Sequence, residues 1–267
     1  MRKIALLGAD GQLGTDLAKE FLSEELVCLT KADADITDAS KLRDILSACK
    51  PDVVINAAGY NDVPASEKNP DFAFAVNACA VKTLAASCAE LGAVFVQYSS
   101  DYVFDGDKGE AYTEADAPNP LNSYGTSKLC GEHFAQNAGR HYVLRLSSLF
   151  GTAGCMTKGG TNFVEAMLKL GNGNKTAEIT ANIFSSPTYT VDAASKTREI
   201  LDKALPSGIY HISNAGDCSW AEFAHEIFSQ AGMPTEVVPK AEDISRAGVR
   251  RPACSSLSSE KIIQPRQ

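Results

Sequence analysis

In the segment NSYGTSKLCGE, Tyr124 and Lys128 stand four residues apart. On a helix that spacing puts a phenol and an ammonium on one face, a turn apart. An ammonium beside a phenol stabilises the phenolate and lowers a pKa that starts near about 10, so the pair can exchange a proton at neutral pH. A second polar cluster, Ser99, Ser100 and Asp101 of SSDYVFDG, directly follows the apolar run AVFVQY. Ligands of open α/β sheets bind beyond the carboxyl ends of the strands, where these side chains would stand. One hydroxyl there can bond a substrate carbonyl and the phenol together. Ser100 is assigned that task, and Ser99 the cap of the strand-to-loop turn.

A third cluster is GADGQLG, with Gly8, Gly11 and Gly14 around Gln12 and Leu13. Glycines permit a tight turn and close backbone approach, and a helix N-terminus supplies free N–H groups for a pyrophosphate. Together the clusters describe hydride transfer from a dinucleotide to a ketone, with Tyr124 as the proton donor. An acid at the end of the second strand would hold a ribose 2′-hydroxyl. Thr30 and Lys31 stand there instead and suit a 2′-phosphate, which favours NADP(H). Asp33, Asp35 and Ile36 follow closely, so NAD(H) stays open.

The elements that must position these groups alternate. Strand-like runs at 3–7, 26–30, 52–58, 93–100 and 142–146 are separated by helical patterns at 12–24, 38–50, 70–91 and 123–138. Short apolar strands alternating with helices predict a Rossmann-type, doubly wound parallel sheet covered on both faces. After residue 150 the rhythm loosens. A helix over 161–171, a short strand at AEIT, a helix over 190–204, a strand at 208–213 and a helix over 219–232 follow. The expected division is a dinucleotide-binding domain at 1–150, rejoined by 186–206, and a smaller α/β substrate-binding lobe at 151–185 and 207–267.

The chain has 267 residues, 44% of them hydrophobic and 22% charged, with a net charge of −8. That balance suits a soluble globular protein and opposes attraction to nucleic acid or anionic membranes. The apolar run at the N-terminus is too short for a signal-peptide core, and no later stretch is expected to reach membrane-spanning length. Eight cysteines are scattered without a CxxC, and four histidines lack metal-ligand spacing, so reduced thiols in a cytoplasmic protein are expected, with no metal site. Oligomeric state is not readable; a homodimer stays open.

GADGQLG, DVVINAAGYNDVPASE, FAFAVNACAVKTLA, SSDYVFDG, NSYGTSKLCGE, LRLSSLFG, TNFVEAML, SSPTYTVDAA, GIYHISNAGDCSWAEFA and RRPACSSL run in order through nearly the whole chain. In them the sequence resembles the extended short-chain dehydrogenase/reductases, and within those the dTDP-4-dehydrorhamnose reductases. The resemblance implies reduction of the 4-keto group of a dTDP-linked 6-deoxy sugar, with a nucleotide sugar as the binding partner. It implies that Lys128 also binds the nicotinamide ribose. It implies cofactor contacts at Ala57, Ala58, Gly59 and Tyr60, and substrate contacts at Val63, Ser100, Asp101, Tyr102 and Asn162. Arg251, before Pro252, is the expected phosphate contact, while Trp220 is expected in the core behind a helix cap at Ser219.

Two departures stand out. Asp16 replaces a family glutamate implicated in magnesium binding, and Asn182, Ile183 and Ser185 replace the family's residues ahead of Pro187. Sugar-nucleotide dehydratases would need a second acid after Asp101, where Tyr102 stands. Epimerases stay open because they differ only in net cofactor use. So does a non-catalytic NADP-binding role like that of the methionine adenosyltransferase beta subunit.

Overall fold

The protein is described by a computed structural model covering residues 1–155, 159–241, 243 and 248–262. Its centre is a six-stranded parallel sheet built from β1 (Lys3–Leu7), β2 (Glu25–Leu29), β3 (Val53–Asn56), β4 (Val94–Ser100), β5 (His141–Leu146) and β10 (Gly208–His211). The strand order is β10-β5-β4-β3-β1-β2. The chain therefore moves outward from β1 in both directions, and the reversal of order between β2 and β3 opens a crevice at the carboxyl edge. Alternation along each strand feeds two cores. Ile4, Leu6 and Val96 pack with α1 (Gln12–Glu20) and α8 (Thr190–Asp202) on one face. Ala5, Leu7 and Val54 pack with α2 (Ala39–Cys49) and α5 (Ala80–Leu91) on the other.

The crossover before β4 is the longest apolar segment. After α3 (Val63–Lys68), helix α4 (Pro70–Phe74) passes through a π-helical turn at Ala75–Cys79 into α5. Contrary to the sequence expectation, this 22-residue stretch is long and apolar enough to cross a membrane by length and composition. Half of it is buried within the fold, where Val81, Leu84 and Cys88 meet the sheet, which accounts for its composition.

The second lobe lies beyond β6 (Leu149–Phe150). It contains α7 (Phe163–Gly171), β7 (Thr176–Thr180), β8 (Phe184–Ser185), β9 (Thr188–Tyr189), β11 (Cys218–Ser219), α9 (Trp220–Gln230) and β12 (Glu236–Lys240). β7 pairs with β12 in parallel, and Ala177, Ile179, Ala224 and Phe228 form a small core beneath α7 and α9. Ser219 caps α9 reciprocally with Glu222. One boundary differs from the expected division. Residues 208–211 form β10 on the edge of the main sheet, paired with β5 from Gly208–Tyr142 to His211–Arg145, so the return begun by α8 continues through this strand. The alternation of GIYHIS fits either lobe, and only the pairing partner decides.

Gly14 holds α1 against the loop after β1. A Cβ at that position would lie 2.0 Å from the Gly8 carbonyl oxygen. A Gly14→Ala substitution should therefore destabilise the fold by about 1–3 kcal/mol, the usual cost of overpacking. Chemical denaturation measures this, and Gly92→Ala, with no atom within 4 Å of the added Cβ, controls for space but not for that glycine's left-handed backbone.

Candidate active site

A cavity of about 800 Å³ opens above the carboxyl edge of the sheet and reaches the second lobe. At its sheet end Gly8 has a φ of +72°, and a Cβ there would lie 2.7 Å from the Ala58 amide nitrogen. Glycine thus lets β1 and the loop after β3 meet at the crevice. Gly11 is the N-cap of α1 and provides no side-chain cap, leaving first-turn N–H groups to other acceptors. Gln12 and Leu13 line the same wall, and the Gln12 Nε2 is buried without a partner. An orphan donor beside free helix N–H groups fits an anionic diphosphate.

Lys31, Asp35, Ile36, Ala57, Ala58, Gly59 and Tyr60 also line the cavity. Asp35 Oδ1 accepts from the Thr37 hydroxyl at 2.7 Å and the Thr37 amide at 3.0 Å, and these bonds hold its pKa below the usual carboxylate range. Two expected cofactor residues do not reach the wall. Gly14 serves helix packing, and Thr30 donates its hydroxyl and its amide to Asp33 in the turn after β2.

The catalytic candidates converge on α6 (Ser123–Ala135), β4 and the 3₁₀ turn at Asp101–Val103. Asn122 caps α6 by accepting the Gly125 amide at 2.9 Å. Tyr124 and Lys128 are both buried, at 9% and 8% exposure. Burial raises the Tyr124 pKa, and a hydrogen bond with Ser100 partly offsets it. Lys128 stands one helical turn further along α6. Its Nζ donates to the Tyr98 carbonyl at 2.7 Å. Burial pushes the Lys128 pKa down to about 8, against an upward pull from Glu132.

The two serines exchange the expected tasks in part. Ser100 caps the 3₁₀ turn, its Oγ accepting the Tyr102 amide at 3.2 Å. It also stands close enough to the phenol to lower its pKa. Ser99 instead donates to Glu132 at 2.5 Å. That carboxylate lies in a fully buried ion pair with Arg145, at 2.7 Å.

The substrate-side expectations divide. Val63 packs with Tyr124 and Val249. Tyr102 meets the Tyr124 ring edge-on at 5.7 Å, and its phenol accepts from Arg251 Nη1 at 3.0 Å. Asp101 lines the cavity, but its oxygens accept from Ser100, Ser147 and Ser255. Asn162 lines it too, yet its side chain is committed. Its Oδ1 accepts the Glu165 amide at the start of α7, and its Nδ2 donates to the Gly151 carbonyl. Asp16 is turned inward, accepting from Thr190 at 2.6 Å and Lys19 at 2.9 Å.

The family model described as the RmlD substrate binding domain matches residues 1–265. A dTDP-4-dehydrorhamnose reductase of Burkholderia thailandensis is 36% identical over 277 residues, covering 97% of this chain and 91% of the relative. The spore coat polysaccharide biosynthesis protein SpsK of Bacillus subtilis is 34% identical, covering 100% and 94%. The crystal structure of a Bacillus anthracis dTDP-4-dehydrorhamnose reductase in complex with NADP superposes with a TM-score of 0.90 at 35% identity, covering 97% of this chain and 91% of that one. The chain belongs to the dTDP-4-dehydrorhamnose reductase family. That is a family of nicotinamide-dependent oxidoreductases.

Two groups lining the site of this family member escaped the sequence reading, Phe223 and Asn77. Phe163, Trp220 and Phe223 form an aromatic wall on the lobe side, with Phe163 and Phe223 stacked at 5.3 Å. Trp220 thus faces the cavity as well as the lobe core. Asn77, in the π turn, accepts the Tyr60 amide and donates to the Tyr60 carbonyl and to Ser127 on α6. Its signal was a lone amide inside the apolar run FAVNACAV.

The Lys128 shift has a sign that can be measured. A folded pKa near 8, against an ordinary 10.5, means that the unfolded chain binds more protons between those pH values. Stability should therefore rise with pH across that window, by on the order of 3 kcal/mol. Denaturation of the wild type and Lys128→Met, compared from pH 7 to 10.5, should show the rise in the wild type alone.

Proposed function

We propose that this protein uses NADPH to reduce the 4-keto group of a dTDP-linked 6-deoxy sugar, with dTDP-4-dehydro-L-rhamnose the leading substrate and dTDP-L-rhamnose the product. The observation that carries the reading is a buried phenol, Tyr124, beside the Ser100 hydroxyl and one helical turn from the buried Lys128, in the cavity that also holds the glycine turn. A protein that only bound a dinucleotide would gain nothing from burying that acid and that ammonium.

The glycine turn, the first turn of α1 and Gln12 fit the diphosphate, and Lys31 supplies the charge for a 2′-phosphate. Asp35 is occupied by Thr37, which supports NADP(H) over NAD(H). When bound, the reduced nicotinamide supplies the hydride. The chain's own groups do the rest. Ser100 and Tyr124 orient the ketone oxygen, and Tyr124 delivers the proton that balances the incoming hydride. Lys128 keeps positive charge beside the phenol as it becomes phenolate. Arg251 lies beside the cavity with donors suited to the sugar nucleotide's diphosphate. The aromatic wall offers flat apolar area to a nucleobase.

NADPH oxidation on mixing with the dTDP-linked 4-keto-6-deoxy sugar tests the proposal. Tyr124→Phe should lower turnover by at least ~10²-fold, the usual scale of lost acid catalysis. Lys31→Ala should raise the KM for NADPH about tenfold or more while sparing that for NADH, consistent with loss of a charged contact. Absence of turnover on any 4-keto sugar nucleotide, with NADP still binding, would instead favour the regulatory-subunit role.

A further inference from the structure

The segment 249–257 is the part of the chain whose attachments the reaction outlined above does not require. It crosses the outside of the catalytic turn and is fastened at each step. Val249 is buried against Tyr124 and Val63. The Arg250 carbonyl accepts from Asn122, the residue that caps α6. Arg251 donates to Tyr102. Gly106 lies so close beneath it that a Cβ there would be 2.6 Å from the Ala253 nitrogen. Ser255 Oγ donates to Asp101 Oδ2 at 2.6 Å, and Leu257 forms a bridge with Tyr112.

The contact at Ser255 bears on the chemistry. Asp101 is 3% exposed, and its two oxygens divide their donors unequally. Oδ2 accepts from Ser147 at 2.9 Å and from Ser255, while Oδ1 accepts from Ser100 at 2.9 Å. Two donors from distant parts of the chain therefore fix the plane of the carboxylate. With Oδ2 saturated, Oδ1 is left facing the hydroxyl beside the Tyr124 phenol. Without a bound ketone, an anionic Asp101 accepts the hydrogen bond of the Ser100 hydroxyl, and because it has no hydrogen to give back, a ketone oxygen can draw that hydrogen to itself; a neutral Asp101 would donate to Ser100 instead.

We propose that Ser255 is a positioning residue: by holding the Asp101 carboxylate anionic and in plane, it sets the direction of the Ser100 hydroxyl that meets Tyr124. This rests on the reductase reading and extends it to a segment outside the sheet edge. Burial pushes the Asp101 pKa up, and the three hydroxyl bonds oppose that. The titratable and charged groups around Asp101 are Tyr102 and Tyr124, which its charge reaches, and Arg251 through Tyr102. Loss of one donor should raise the Asp101 pKa further, so that the carboxyl gains its proton at a higher pH.

The test is the pH profile of kcat for Ser255→Ala, with Ser147→Ala as an independent removal of the second donor. Each should lower kcat about tenfold with KM within about twofold, the scale of one hydrogen bond to a charged group. In each, the acid limb should move to higher pH by about one unit. In an Asp101→Asn background, Ser255→Ala should have almost no further effect on kcat. A merely structural role would leave the limb in place and give effects that add. Carbon NMR titration of aspartate-labelled full chain, with the Asp101 signal identified by its loss in Asp101→Asn, reads the same shift without turnover. An unmoved Asp101 midpoint in Ser255→Ala, or a wild-type pH profile, overturns the proposal. An inactive wild type with a shifted midpoint counts against the reductase reading and leaves the Ser255–Asp101 linkage standing.

Discussion

A polar stripe buried along one face of α6 governs the rest of this structure. Tyr124, Ser127, Lys128 and Glu132 are all sequestered from solvent, at spacings that bring them onto adjoining turns. Burying such groups costs free energy unless each finds a hydrogen bond or a counter-charge. The partners come from three elements, β4, the π turn and β5. Ser100 at the end of β4 meets the phenol, Asn77 in the π turn meets Ser127, the Tyr98 carbonyl meets Lys128, and Arg145 with Ser99 meets Glu132. The helix can occupy only the position that satisfies all four, so the chemistry is located by the same bonds that make its burial tolerable.

This explains why the crossover before β4 is not a uniform α-helix. A π turn widens the helix by a residue and is common where a helix must present an extra group to a site. At Ala75–Cys79 it aims Asn77 at both backbone groups of Tyr60 and at α6 together. The loop around Tyr60 on the cavity wall is thereby tied to the helix carrying Tyr124 and Lys128. Gly131 keeps that junction close, since a Cβ there would lie 2.2 Å from the Asn77 carbonyl.

Local pattern made much of this legible. The parallel sheet, the glycine turn and the Tyr124–Lys128 spacing follow from periodicity and residue type, and those signals are short-range. What pattern could not supply was the choice among nearby partners. Tyr124 and Lys128 do share a helix face, but the ammonium bonds a buried carbonyl, and that carbonyl belongs to another element. Adjacent serines must point to opposite faces of a strand, which separates Ser99 from Ser100. Which face meets the phenol depends on the register of β4 against β5. Asn162 has the composition of a ligand contact and the position of a helix cap, and capping claims its side chain first. β10 carries an edge-strand pattern that would serve either lobe. The membrane-length apolar content of 70–91 is the ordinary result of one helix covering the middle of a parallel sheet.

The two walls of the cavity are built differently. On the sheet side the polar groups are interlocked, and a change in one disturbs several others; this wall suits a fixed reaction. The lobe side is built from the stacked rings of Phe163 and Phe223 with Trp220, and from short strand pairs. The unusual residues ahead of Pro187 fall on this second side. Ser185 accepts from Ser148, a non-glycine residue held at a φ of +42° beside the cavity. A backbone in that region is strained and persists only where its surroundings enforce it. The replacements at Asn182, Ile183 and Ser185 thus lie on the lobe side, whereas the one at Asp16 lies on α1 and is turned inward. Evolution of a new substrate in such a fold can proceed through the lobe without reopening the buried polar stripe.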